Sequence, residues 1–76
     1  MFQNASYNQD MKVKINNVAL ELSEGATLQD ALDAKNIPAR GIATAINGKV
    51  VPALLRGKKL LNEDDNIVII KAFYGG

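Results

Sequence analysis

Cysteine and histidine are both absent from this 76-residue chain. Without Cys there are no disulfides, no thiolate metal sites and no thiol nucleophile, and without His the commonest general base and metal ligand is missing. Most enzyme mechanisms lose their parts here. A dominant charge is lacking too: nine basic and eight acidic residues leave a net +1, which gives no large field to attract nucleic acid or an anionic membrane. No apolar run approaches the roughly 18–20 residues of a membrane span, and the opening Met1-Phe2-Gln3-Asn4 has neither a basic flank nor an apolar h-region. A cytoplasmic location is expected, with neither nucleic acid nor membrane among the partners. Only four residues are aromatic, and ten of the apolar ones are Ala. One small domain with a modest core follows, with stability at or below about 5–15 kcal/mol.

What is present is strongly patterned from Met11 onward. Residues 1–10, MFQNASYNQD, are mainly polar and without periodicity, and read as a flexible N-terminal extension. Val13 and Ile15 then alternate with Lys12, Lys14 and Asn16, the period-2 mark of a half-buried strand. Val18-Ala19-Leu20-Glu21-Leu22 alternates likewise, and Asn16-Asn17 between them suits a tight hairpin turn. Thr27 followed by Asp30 resembles a capping box, so a helix is expected from there to about Asn36, with Leu28, Ala31 and Leu32 facing inward and the Lys35 stem at the edge. Pro38 disfavours helical geometry at Ile37.

Ile42 to Ile46 reads as a third strand, ended by the hairpin signal Asn47-Gly48 and returning through Val50-Val51. Pro52 lacks an N–H, so the return strand should be short and at an edge. Leu54, Leu55, Leu60 and Leu61 bracket the basic stretch Arg56-Gly57-Lys58-Lys59, expected to be a loop or short strand tethered by those leucines. Asn62 to Asn66 is a polar turn. Ile67-Val68-Ile69-Ile70 is a continuous β-branched run, as expected of a strand buried on both faces at the sheet centre. The order β-β-α-β-β-β, with the most apolar strand beside the first, predicts an α+β fold of the β-grasp, ubiquitin-like kind: a mixed sheet of four to five strands and one main helix over residues 11–76. Other α+β sheets share that order.

The chain ends Phe73-Tyr74-Gly75-Gly76. Two terminal glycines arise by chance in roughly one chain in two hundred at ordinary glycine frequency. Lacking Cβ, they can thread a channel too narrow for side chains. A carboxylate on that tether can enter another enzyme's active site while the globular body stays outside. It is inert until activated. Adenylation by ATP makes an acyl-adenylate, from which a thiol or persulfide displaces AMP and leaves a thiocarboxylate. A carrier of this kind needs no acid, base, metal or bound cofactor of its own.

These residues resemble the ThiS family, the sulfur carriers of thiamine thiazole biosynthesis. The likeness runs from Met11 to Gly76 and rests on the strand-turn-strand with Asn16-Asn17, on Ala45-Ile46-Asn47-Gly48-Lys49-Val50-Val51-Pro52, on Leu61 to Ile67 and on Ala72-Phe73-Tyr74-Gly75-Gly76. The family often has Asp-Gly-Asp before its last strand, where this chain has Asp64-Asp65-Asn66. The resemblance implies a carrier and not an enzyme. It implies adenylation of the Gly76 carboxylate by a ThiF-like adenylyltransferase using ATP, sulfur from a persulfide donor, and delivery to a ThiG-like thiazole synthase. A small subunit of molybdopterin synthase (MoaD) shares this chemistry with another acceptor. A ubiquitin-like modifier or a bare interaction module shares only the fold.

Beside Gly75 and Gly76, Tyr74 and Phe73 stand as candidate partner-binding residues or as last core contacts of the final strand, with the core reading favoured for Phe73. Lys49, Arg56, Lys58 and Lys59 either meet an acidic partner surface or are solvated loop charges. The solvated reading is favoured, because exposed charges contribute little singly. Glu63, Asp64 and Asp65 lack calcium-loop spacing and read as a solvated turn, not a metal site.

Overall fold

Each hairpin is set by an asparagine that accepts a positive φ. In a computed structural model of the chain, which describes residues 10–71, Asn16 and Asn17 have φ of 48° and 72°, and Asn47 and Gly48 have 50° and 86°. Positive φ at both central residues gives the type I′ turn, whose twist matches that of two antiparallel strands. β1 (Asp10–Ile15) and β2 (Val18–Ser23) therefore close on each other from the Ile15–Val18 pair to the Asp10–Ser23 pair. β3 (Ile42–Ile46) and β4 (Lys49–Val51) do the same, and β4 is a three-residue edge strand stopped by Pro52, as expected. β1 starts at Asp10, one residue ahead of the expected start. The remainder of the N-terminal stretch read as an extension lies outside the described residues.

The helix α1 (Leu28–Ala34) begins at a complete capping box: Thr27 Oγ1 accepts from Asp30 N at 3.2 Å, and Thr27 N donates to Asp30 Oδ2 at 2.9 Å. The first two helical N–H groups, which no helix can satisfy internally, are taken by the later loop. Leu28 N donates to Lys59 O at 2.9 Å and Gln29 N to Arg56 O at 3.0 Å. The helix ends in a Schellman motif. Asn36 sits at φ 56°, Ile37 N donates to Leu32 O and Asn36 N to Asp33 O.

The sheet order is β2-β1-β5-β3-β4, with β5 (Asn66–Lys71) parallel to β1 and antiparallel to β3. This is the β-grasp arrangement: a mixed five-stranded sheet half-wrapped round one helix. Met11, Val13, Ile15 and Ile67 from the sheet meet Leu28 and Ala31 from the helix, closed by Ile46, Val51 and Leu61, and Leu32 is fully buried as well. Among the described residues no helix is long and apolar enough to cross a membrane.

Two expectations fail. β5 is central but buried on a single face: Ile67 is fully buried, whereas Val68 and Ile70 are 37% and 60% exposed. A single helix covers one face only, so the alternate side chains of even the middle strand meet solvent. The leucine tether fails likewise. Leu61 is buried, but Leu54, Leu55 and Leu60 are exposed, because a 3-10 turn at Ala53–Leu55 carries the chain over the surface. The stretch is held to the body by backbone bonds, two to the helix start and Leu61 N to Ala26 O at 3.0 Å, and by the side chain of Arg56.

The basic stretch is also divided. Arg56 is no solvated charge, being 3% exposed, with Nε donating to Thr44 Oγ1 at 3.2 Å, Nη1 to Ala39 O at 2.9 Å and Nη2 to Ile42 O at 2.8 Å. Thr44 Oγ1 donates onward to Val51 O at 2.9 Å. The planar guanidinium fork matches three acceptors spread over β3 and the loop before it, a task that one ammonium group cannot perform. Arg56→Ala is expected to lower stability by about 2–4 kcal/mol, since the acceptors stay buried without a donor, and Arg56→Lys to recover less than half of that. Chemical denaturation measures both; an Arg56→Lys variant as stable as the parent would show that the fork is not needed.

Candidate functional site

The four residues singled out at the end of the chain, Phe73, Tyr74, Gly75 and Gly76, lie outside the described residues. What the structure shows is the platform that precedes them. β5 carries the chain to Lys71, and Lys71 is still paired with Ile42 of β3. On its other edge β5 has only two rungs with β1, Lys14 with Asn66 and Ile15 with Ile67. There β1 turns away.

Asn16 prolongs that ladder with its side chain. Its Oδ1 accepts from Ile69 N at 2.8 Å and its Nδ2 donates to Ile69 O at 3.2 Å, so a single amide imitates the next rung. Asn47, at the matching position of the second hairpin, holds the other end of the strand. Its Oδ1 accepts from Asn66 N at 2.9 Å and its N donates to Asn66 O at 2.8 Å. Each asparagine thus does two jobs, taking the left-handed conformation that the turn requires and reaching across to β5.

Below Asn66 the acidic turn is built into the fold and not merely solvated, as sequence alone suggested. Asp65 is 6% exposed, with Oδ1 accepting from Asn47 Nδ2 at 2.9 Å and Oδ2 from Asn62 N at 2.8 Å. Glu63 Oε1 accepts from Lys12 N at 3.0 Å, and Asp64 N donates to Lys12 O at 2.7 Å, which ties the turn to β1. A carboxylate whose two oxygens are both occupied by N–H donors is a structural acceptor. No group of three or more metal-ligating side chains occurs among the described residues.

The uncovered face of the sheet carries a small apolar strip. Val50, Ala45 and Val68 lie in register across β4, β3 and β5, with Ala43 opposite Ile70 one step nearer the end of β5. Val50 is 76% exposed. At the end of β5, Arg40 and Lys71 flank a groove of about 420 Å³ lined by Ile37, Pro38, Ile42 and Ile69. The surroundings of the departing chain are therefore apolar with basic edges.

Sequence reasoning placed both hairpins but missed the reach of their asparagines, the burial of Arg56 and the anchoring role of Asp65. One signal was available: Gly satisfies the first position of a type I′ turn as well as Asn does, yet Asn stands there twice. Asn16→Gly separates the two jobs, keeping the turn and removing the clamp. Stability is expected to fall by about 1–2 kcal/mol, with faster amide exchange at Ile69 than at Ile67. Unchanged exchange at Ile69 would count against the clamp.

No curated protein is significantly similar to the chain in sequence. Among solved structures, the thiamine biosynthesis protein ThiS from Geobacter metallireducens superposes with a TM-score of 0.73 at 19% identity, covering 87% of this chain and 99% of that one. SAMP1 from Haloferax volcanii gives 0.58 at 17% identity, covering 90% and 100%. At such identities the likeness is one of fold. The sequence model of the ThiS family, however, matches residues 6–76, which takes in both hairpins, the clamped strand and the terminal glycines: the chain belongs to the ThiS family, the ubiquitin-like sulfur carriers.

Proposed function

We propose that this sulfur carrier works through the Gly76 carboxylate in thiazole formation for thiamine. A ThiF-like adenylyltransferase is the first partner. The carboxylate attacks the α-phosphorus of ATP, pyrophosphate leaves, and Gly76 becomes an acyl-adenylate. The terminal sulfur of a persulfide donor then attacks the acyl carbon and expels AMP. A second thiol attacks the resulting S–S bond, leaving a disulfide and the free thiocarboxylate. A ThiG-like thiazole synthase takes the sulfur.

The observation that carries this reading is the extension of the family match to Gly76. The composition supports it. A chain with no Cys and no His has no thiol to hold sulfur and no imidazole to activate it, so the chemistry resides in the partners and the tail supplies the acyl group. Gly75 lets the tail pass a narrow channel, and Tyr74 and Phe73 supply apolar contacts at its mouth. The clamped β5 gives the tail a fixed root, which reduces the ordering that docking requires.

Incubation with ATP, a cognate adenylating enzyme and a persulfide donor is expected to raise the intact mass by the difference between one sulfur and one oxygen. Removal of Gly76 should abolish the gain. A wild-type chain that no cognate enzyme adenylates would end the proposal, and a thiocarboxylate accepted only by a synthase of another pathway would redirect its last step.

A further inference from the structure

With Arg56 withdrawn into the core, the remaining cations of the basic stretch take on a different meaning. Exposed Lys49, Lys58 and Lys59 line one groove of about 520 Å³, whose apolar wall is Val51, Pro52 and Leu55. The one acid among its described lining residues is Asp65, and both of its carboxylate oxygens already accept from Asn47 and Asn62. The exposed acids Asp10, Glu24 and Glu63 line a separate groove beside Leu60. Although the chain is nearly neutral, three lysines gather in one groove and three acids in the adjoining one, with Asn62 between them.

We infer that the lysine groove is a second docking point for the adenylating partner, and that it receives an acidic strip carrying an apolar side chain. The ammonium groups select acid, and the half-exposed Leu55 beside Pro52 offers an apolar seat at the centre. The groove runs from Asp65, before β5 begins, along the β4 edge to Val51, which lies in register with Thr44 and Ile69. β3 separates β4 from β5, about 10 Å across the sheet. The partner is thus expected to present its acidic strip to the side of its tail channel. Contact at two separated points fixes the orientation of the carrier, which a tail alone cannot do. A second copy of the chain is a poorer occupant. Its acidic groove is a different surface, so the contact would be heterologous and would build rings or filaments, not a two-fold dimer.

This inference rests on the carrier function proposed above. The test compares wild-type chain, the triple variant Lys49→Gln, Lys58→Gln, Lys59→Gln, and a control of equal charge, Lys12→Gln, Lys14→Gln, Lys35→Gln. ATP–pyrophosphate exchange by the cognate adenylating enzyme is measured against carrier concentration. The groove variant is expected to raise KM for the carrier about tenfold at low ionic strength with kcat unchanged. The control should stay within about twofold, and the gap should close in about 1 M salt, where the screening length is about 3 Å. Equal KM for the groove variant and wild type overturns the inference and leaves the carrier function standing. An equal rise in the control overturns it by reducing it to net charge. Loss of concentration-dependent self-association of the chain alone, with KM unchanged, overturns it in favour of a second copy. A wild-type chain that is not adenylated at all overturns both readings.

Discussion

The fold depends on the capture of its last strand between two strands made much earlier. β5 must enter with Lys14 and Ile15 on one side and Ile42 to Ile46 on the other, and its Ile67 completes the core against the helix. Two asparagines fix its register from opposite edges, Asn47 at its first residue and Asn16 at its fourth. A strand paired on both edges cannot slip by one residue without breaking both ladders. Here slippage would also move Ile67 out of the core and bring Val68 in.

Most of the architecture was legible from local signals. Asn-Asn and Asn-Gly between alternating segments, Thr27 with Asp30, and Pro52 each act through conformations fixed by a few neighbouring atoms, and each element formed where those signals stand. The central position of β5 was legible too, from its β-branched run. Its half-exposure was not, since a run of apolar residues cannot reveal how many layers cover it. Val68 and Ile70 lie on the face that the helix does not cover, so their apolar character does not make them core.

The misreadings at Arg56 and Asp65 have a different origin. Both are charged residues in polar stretches, and partners far away in sequence take part in their burial: Ala39, Ile42 and Thr44 for the guanidinium, and Asn47, beside the nearby Asn62 N, for the carboxylate. No local window contains those partners. The candidate site divides in the same manner. Its terminal residues were named from composition and pattern, whereas the groove of Lys49, Lys58 and Lys59 exists only once the 3-10 turn brings the later lysines beside β4.

The late entry of β5 has a bearing on how the protein is made. Lys14 pairs with Asn66 across about two thirds of the chain, and the loop-closure entropy of so distant a pairing is met before the contact repays it. A nascent chain released before Asn66 lacks the middle of its sheet, leaving β1 and β3 with open edges and the helix without Ile67 beneath it. Exposed apolar surface and unpaired strand edges make such fragments prone to aggregate. Only a chain that runs through β5 carries the complete sheet and core, so the folded body depends on the segment that directly precedes Ala72 to Gly76.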